Sequence, residues 1–281
     1  MSASEFHISV DQPSANPVEL LAEASGLSRQ TIKKTMWKGA VWLERDGGVR
    51  RIRRAKSRLQ QGDRLHLYHN EKVLAEEPAE ARLVADEGDF SVWFKPKGML
   101  SHGSKWGDHC AIDRWVQTNL KPERPVFLVH RLDRATDGLM VLAHRKRTAT
   151  ELARLFRERK IVKRYQAWVV GHYIADANSR LIEEPIDGRP ALSRVSLLEY
   201  NPQQDRSLLQ VEIDTGRKHQ IRRHLSGIGY PVVGDRLYCD TSFDEDLQLT
   251  CVYLEIPESA ENTAGIYRPC GAFPDVPDSS H

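Results

Sequence analysis

Five consecutive apolar residues, Leu139-Met140-Val141-Leu142-Ala143, follow directly on a charged turn in the stretch HRLDRATDGLMVLA, residues 130–143. An apolar run without alternation reads as a strand buried on both faces, and such a strand requires an interior place in a covered sheet. Ala135, Thr136, Asp137 and Gly138 are turn-compatible. The histidine, two arginines and two aspartates of the stretch therefore gather at the mouth of a buried strand, where a rigid scaffold can hold a cleft. Taken singly, either aspartate could do no more than bond turn amides, and His130 and Arg131 could be solvated.

The rest of the chain supplies partners for that strand. DFSVWFKPKGM, from Asp89, alternates through Val92 and Phe94 until Pro96 and Gly98 stop it, and RSLLQVEID and LTCVYLEI follow later. A helix is predicted over 148–160, opened by a capping box at Thr148-Ala149-Thr150-Glu151 and carrying Leu152, Leu155 and Phe156 on one face. Many strands and few helices predict an α+β fold with a mixed, largely antiparallel sheet. No glycine-rich phosphate loop or internal repeat is present in the sequence.

At 281 residues the chain has room for a large and a small unit. Residues 1–15 are assigned as a tail, 16–75 as a small α/β unit, 76–85 as a linker and 86–281 as the main unit, ending in an acidic, proline-containing tail. In the small unit Leu20, Leu21, Ala24, Leu27, Ile32 and Met36 lie at near-helical spacing, with Gly26 interrupting and Ser28 able to cap a second helix. Asp46-Gly47-Gly48 then marks a turn between strands, and GDRLHLY alternates. Residues 16–70 hold twelve Lys or Arg against five acids, whereas residues 237–281 hold one Arg against nine. A basic front suits a polyanion such as RNA, although charge alone is also satisfied by a solvated face.

No apolar stretch approaches the length of a membrane span, and the first residues lack the basic leader and apolar core of a signal peptide, so a cytoplasmic protein is expected. Cys110, Cys239, Cys251 and Cys270 are scattered and read as reduced thiols. His219 and His224 are five apart, which splays them on a helix, and no metal site is assigned.

The motifs occur in one order. Lys95-Pro96-Lys97-Gly98 with His102 is followed by His130-Arg131-Leu132-Asp133 with Thr136 and Gly138, then Lys163-Arg164-Tyr165-Gln166-Ala167, then Gly216-Arg217-Lys218-His219-Gln220-Ile221-Arg222 with His224-Leu225, and last Gly229, Pro231, Gly234-Asp235 and Tyr238. Over residues 86–257 this resembles the RluA-type RNA pseudouridine synthases. The front unit, with Arg29, Lys33, Lys34 and Lys38 along its second helix and Arg53 and Arg54 beyond, resembles the S4-like RNA-binding domain found in many members of that family.

The resemblance implies cofactor-free isomerisation of uridine to pseudouridine in RNA, with Asp133 as the catalytic aspartate. Arg222 would be the arginine paired with it, and a guanidinium fork suits that task. Tyr165 would pack on the target uracil; considered alone, it reads as a core aromatic in a strand. Arg131 would fill the stack vacated by the flipped base. His130, Lys95, Arg217, His219, Gln220 and Arg223 complete the expected RNA-binding set, and a monomer acting on ribosomal RNA, with tRNA as the alternative, is expected. Asp137 stands where many relatives have serine, and Cys239 where glycine is common. Two rival readings are a non-catalytic RNA-binding or ribosome-assembly protein of the same fold and a hydrolase with Asp133 as nucleophile, which lacks an obvious paired carboxylate in the motifs.

Overall fold

The computed structural model describes residues 3–13, 16–174, 179–241, 243–259 and 264–269. Two compact units emerge, one formed by residues 1–79 together with 102–119 and the other by 80–101 together with 120–281. Among the described residues, no helix is long and apolar enough to cross a membrane.

The front unit runs β1 (Ser4–Ser9), α1 (Pro17–Ser25), α2 (Arg29–Trp37), β2 (Val41–Arg45), β3 (Gly48–Arg51), β4 (Arg64–His69), α3 (Glu71–Ala75) and, much later, α4 (Ile112–Asn119). Its antiparallel sheet has the order β1-β4-β2-β3. Asn16 accepts from the Val18 amide and Ser28 from the Thr31 amide, so each helix has a side-chain cap, while Gly26 closes α1 in the left-handed region. Leu21, Ile32 and Met36 pack with Val41, Leu43, Leu65 and Leu67 in one core, each fully buried aliphatic side chain contributing ~2 kcal/mol.

Two boundaries expected from the sequence are corrected here. Residues 4–9 are not tail: Phe6 and Ile8 alternate with Glu5 and His7, giving the period of a half-buried strand, and β1 pairs with β4 over its whole length. Residues 102–119 belong to the front unit. The Asp108 carboxylate accepts a hydrogen bond from Arg53 and lies 3.5 Å from Arg51, and Trp42 Nε1 donates to the Lys105 carbonyl at 3.2 Å. Buried Asp108 needs those cations, and they come from the front unit.

The main unit contains β5 (Arg82–Asp86), β6 (Phe90–Lys95), β7 (Phe127–Leu128), β8 (Asp137–Ala143), α5 (Lys146–Arg157), β9 (Val162–Val170), β10 (Arg180–Ile182), β11 (Ser193–Asn201), β12 (Arg206–Ile213), α6 (Gln220–Gly227), β13 (Leu249–Ile256) and β14 (Gly265–Tyr267). One sheet runs β10-β11-β12-β9-β13-β8-β6-β5, with β14 on β13 and β7 on β8. Only the β8–β13 pairing is parallel among the named strands, giving the mixed, largely antiparallel α+β architecture that the sequence implies. Leu139–Ala143 are all buried in β8, between β6 and β13.

Three further expectations change. The 76–85 linker is shorter, because Arg82–Asp86 already pairs with β6. Helix α5 starts at Lys146, with Arg145 at its cap making no side-chain bond, so Thr148 is buried in the first turn instead of capping it. Within the C-terminal stretch β14 pairs with β13 and buries Tyr267; residues 270–281, including Cys270, lie outside the described residues.

Candidate active site

The loop carrying Asp133 is clamped by the turn after β6. Ser101 Oγ donates to the Leu132 carbonyl (2.6 Å) and accepts the Leu132 amide (3.0 Å). The Gly98 amide donates to the Arg134 carbonyl, and Arg134 Nε donates back to the Gly98 carbonyl. Lys95 holds the same turn from beneath, its ammonium donating to the carbonyls of Met99 (2.8 Å) and Pro96 (3.1 Å). Burial pushes the Lys95 pKa down to about 8, against the pull of Asp137 and Asp133. The Thr136 amide donates to the Asp133 carbonyl, which leaves the carboxylate itself 31% exposed in a cleft also lined by Arg131, Tyr165, His219 and Arg222.

Arg222 enters this cleft from α6, but its fork belongs mainly to another acid. Its Nε and Nη2 donate to the two oxygens of Asp235 at 2.7 and 2.6 Å, while Nη1 reaches Asp133 Oδ2 at 3.8 Å. Both members of the bidentate pair are buried. Burial disfavours the Arg222 charge, but the Asp235 bonds outweigh it and raise its pKa further, so the cation offered to Asp133 is permanent. Gly234 makes the approach possible: its φ is +76°, and a Cβ there would lie 2.3 Å from the Asp246 carbonyl oxygen. His219 adds a second group, with Nε2 3.8 Å from Asp133 and Nδ1 2.9 Å from the Tyr238 hydroxyl. Burial, reinforced by Arg222 and Lys218, lowers its pKa despite Asp133, so it faces the carboxylate as a neutral ring.

Tyr165 projects from β9 beside Cys251 of β13, its register partner, and Cys251 in turn pairs with Gly138 of β8. A Cβ at Gly138, whose φ is +116°, would stand 2.3 Å from the Cys251 carbonyl oxygen, so glycine is what lets β8 and β13 close at the floor of the site. Burial raises the Tyr165 pKa well above the usual phenol value, leaving a neutral hydroxyl and an apolar ring. Asp137, at the start of β8, accepts from the Thr250 hydroxyl at 2.6 Å and so serves the β8–β13 junction.

Comparison with known proteins decides what this arrangement belongs to. The family model for RNA pseudouridylate synthase matches residues 89–227. An RNA pseudouridine synthase of Aquifex aeolicus is 30% identical over 86% of this chain and 82% of its own length. The chain belongs to the RluA-type RNA pseudouridine synthases. A ribosomal large subunit pseudouridine synthase C of Vibrio cholerae is 31% identical over 58% of this chain, which spans only 54% of that relative. Human RNA pseudouridylate synthase domain containing 1 has the same fold, with a TM-score of 0.58 and 24% identity over 72% of this chain and 88% of that one.

Within this synthase the expected site residues separate into two groups. Asp133, Tyr165, Arg222, Arg131, His219 and Arg217 converge on the one cleft. Several others make contacts within the protein. Lys95 is fully buried under its carbonyls. Gln220 is buried, its oxygen accepting from Thr215 Oγ1 and the Arg217 amide and its nitrogen donating to Leu192 O and Ser193 Oγ, so every polar direction is used. His130 accepts the Val141 amide at Nε2 (2.9 Å) and stacks on Phe156 at 4.6 Å. Arg223 pairs with Asp187 and lines a different cleft with Glu184 and His224. In the front unit Arg53 is bound to Asp108 and the Trp37 carbonyl, while Lys33, Lys34 and Arg54 are exposed and Arg29 lies 3.4 Å from Glu19. Asp235 was visible only as part of a motif, and nothing in its spacing from Arg222 announced a bidentate partner.

Proposed function

We propose that Asp133 is the carboxylate that starts uridine isomerisation, and that the substrate is large-subunit ribosomal RNA. The observation carrying the first part is the part-exposed Asp133 carboxylate lying 3.8 Å from an arginine whose own fork is locked by Asp235. A group that must act at ribose C1' needs an accessible oxygen and a fixed neighbouring cation, and this pair supplies both. The bond between uracil N1 and C1' breaks, the base turns, and C5 bonds to C1' as its proton leaves. Asp133 either attacks C1' or assists departure of the base by taking a proton. Tyr165 offers an apolar face for the uracil ring, and its raised pKa suits stacking better than service as a phenolate base. Arg131, exposed at the rim, is suited to occupying the stack from which the nucleotide is swung out.

Ribosomal RNA is favoured by the Vibrio cholerae relative's name and by the front unit, whose exposed Lys33, Lys34 and Arg54 suit an S4-like phosphate-tracking role. Such an enzyme would work in the cytoplasm as a monomer. Tritium release from C5-labelled uridine in unmodified large-subunit RNA and in unmodified tRNA tests both parts. Release from ribosomal RNA alone, abolished in Asp133→Asn with the fold intact, is the expected result. Normal release by that variant would overturn the role of Asp133, and release from tRNA alone would overturn the substrate.

A further inference from the structure

Beside the catalytic cleft lies a larger cavity of about 620 Å³, which shares Arg131, Tyr165, Ile213, Gly216 and Arg217 with it. Its lining adds Arg157, Arg159 and Lys163, and Asp214 is the one carboxylate among these residues. We infer that this cavity binds a backbone phosphate of the RNA strand next to the target uridine, with Lys163 as its central cation; the identity of the ligand rests on the RNA reading above.

Lys163 carries the argument. It is only 8% exposed, yet among the described residues it has no hydrogen-bond or ion-pair partner, and its ammonium lies 5.7 Å from the Phe156 ring centroid, close to the outer reach of a cation–π contact. Lys95 shows what a structural buried lysine looks like in the same unit: it is enclosed and donates to carbonyls at 2.8 and 3.1 Å. Lys163 has no such cage and opens instead on a cavity. Its stem is buried while its ammonium reaches the cavity without a protein acceptor, and an anionic ligand bound there supplies one.

The position fits the reaction. Side chains two apart on a strand share a face, so Lys163 and Tyr165 point the same way from β9, about 7 Å apart along the strand. That is the scale of one nucleotide step, which puts the phosphate contact beside the uracil that Tyr165 would stack on. Arg157, in the last turn of α5, and Arg159, just past it, are exposed. Their place at a helix C-terminus has a dipole explanation of its own. Lys163 lies within a strand, where no helix dipole acts on it, and Asp214 of the same cavity attracts its charge without forming an ion pair.

The test uses a single-stranded uridylate octamer as probe, with wild type, Lys163→Met and Lys163→Arg as full-length proteins. Dissociation constants are measured from ~50 to ~300 mM KCl, since one lost phosphate contact on a single strand reduces the salt slope by about 0.7. Lys163→Met is expected to bind about tenfold more weakly, the scale of one charge-assisted hydrogen bond, with the reduced slope and an unchanged or higher Tm. Lys163→Arg is expected to recover the slope. Equal affinity and slope in Lys163→Met, no salt-dependent binding by wild type, or a lowered Tm marking Lys163 as structural would each overturn the inference. Tritium release is assayed separately, so failure of the catalytic reading would be seen independently of octamer binding.

Discussion

Lowering the pH should destabilise the synthase through His130. The ring accepts the Val141 amide, stacks on Phe156, and has its pKa pushed down to about 3 by burial and by Lys163. An unfolded chain protonates this histidine near pH 6.5, so between about 6.5 and 3 the unfolded state binds the extra proton and stability falls as pH drops. At about 1.4 kcal/mol per unit, moving from pH 7.5 to 5 uses about 1.5 units of that window and costs about 2 kcal/mol. His130→Gln keeps an acceptor for Val141 but does not titrate. Urea unfolding at the two pH values should therefore show wild type losing about 2 kcal/mol more than the variant. Parallel losses, or a His130 ring that titrates near 6.5 by NMR in the folded protein, would refute the reasoning.

Other groups give separate outcomes. The penalty of burying charged Lys95 is present in full below its folded pKa of about 8 and is relieved as pH rises towards 10.5, so wild type should gain up to about 3 kcal/mol over that range relative to Lys95→Met in urea unfolding. Asp235→Asn should cost about 3 kcal/mol by leaving the Arg222 charge buried and short of a partner, and tritium release should fall with it; wild-type activity would separate Arg222 from Asp133 chemistry. Gly138→Ala should cost more than ~4 kcal/mol or abolish soluble expression, because its Cβ meets the Cys251 backbone. Reversing Lys33 and Lys34 to Glu should flatten the salt dependence of RNA binding without moving Tm, and an unchanged slope would remove α2 from the RNA surface.

Much of the main unit was legible because its signals are local. A five-residue apolar run can only be buried, the alternation through Val92 and Phe94 pointed to β6, and the apolar-rich stretches RSLLQVEID and LTCVYLEI pointed to β12 and β13 before any contact was known. The break at Gly26 and the Ser28 cap of α2 could be read for the same reason. What stayed hidden depends on pairing across distance. Phe6 and Ile8 gain their meaning from β4, almost sixty residues away, and Asp108 gains its own from Arg51 and Arg53. Residue type also failed to separate structural from RNA-facing polar groups. Lys95 and Lys163 both introduce family motifs, and only burial and acceptor geometry tell a cation that braces a turn from one that opens on a cavity.

The return of residues 102–119 to the front unit also constrains how the protein is made. During synthesis Arg51 and Arg53 emerge long before the carboxylate of Asp108 that neutralises them, by which time β5 and β6 have also been translated. The front unit therefore cannot reach its final charge balance as an isolated N-terminal product, and its last closure is a long-range event. Cutting the gene after codon 79, the natural place to excise a portable RNA-binding module, would release a fragment with two arginines deprived of their shared acid. Exchange of such modules between proteins would have to carry the distant segment along or rebuild that acid locally.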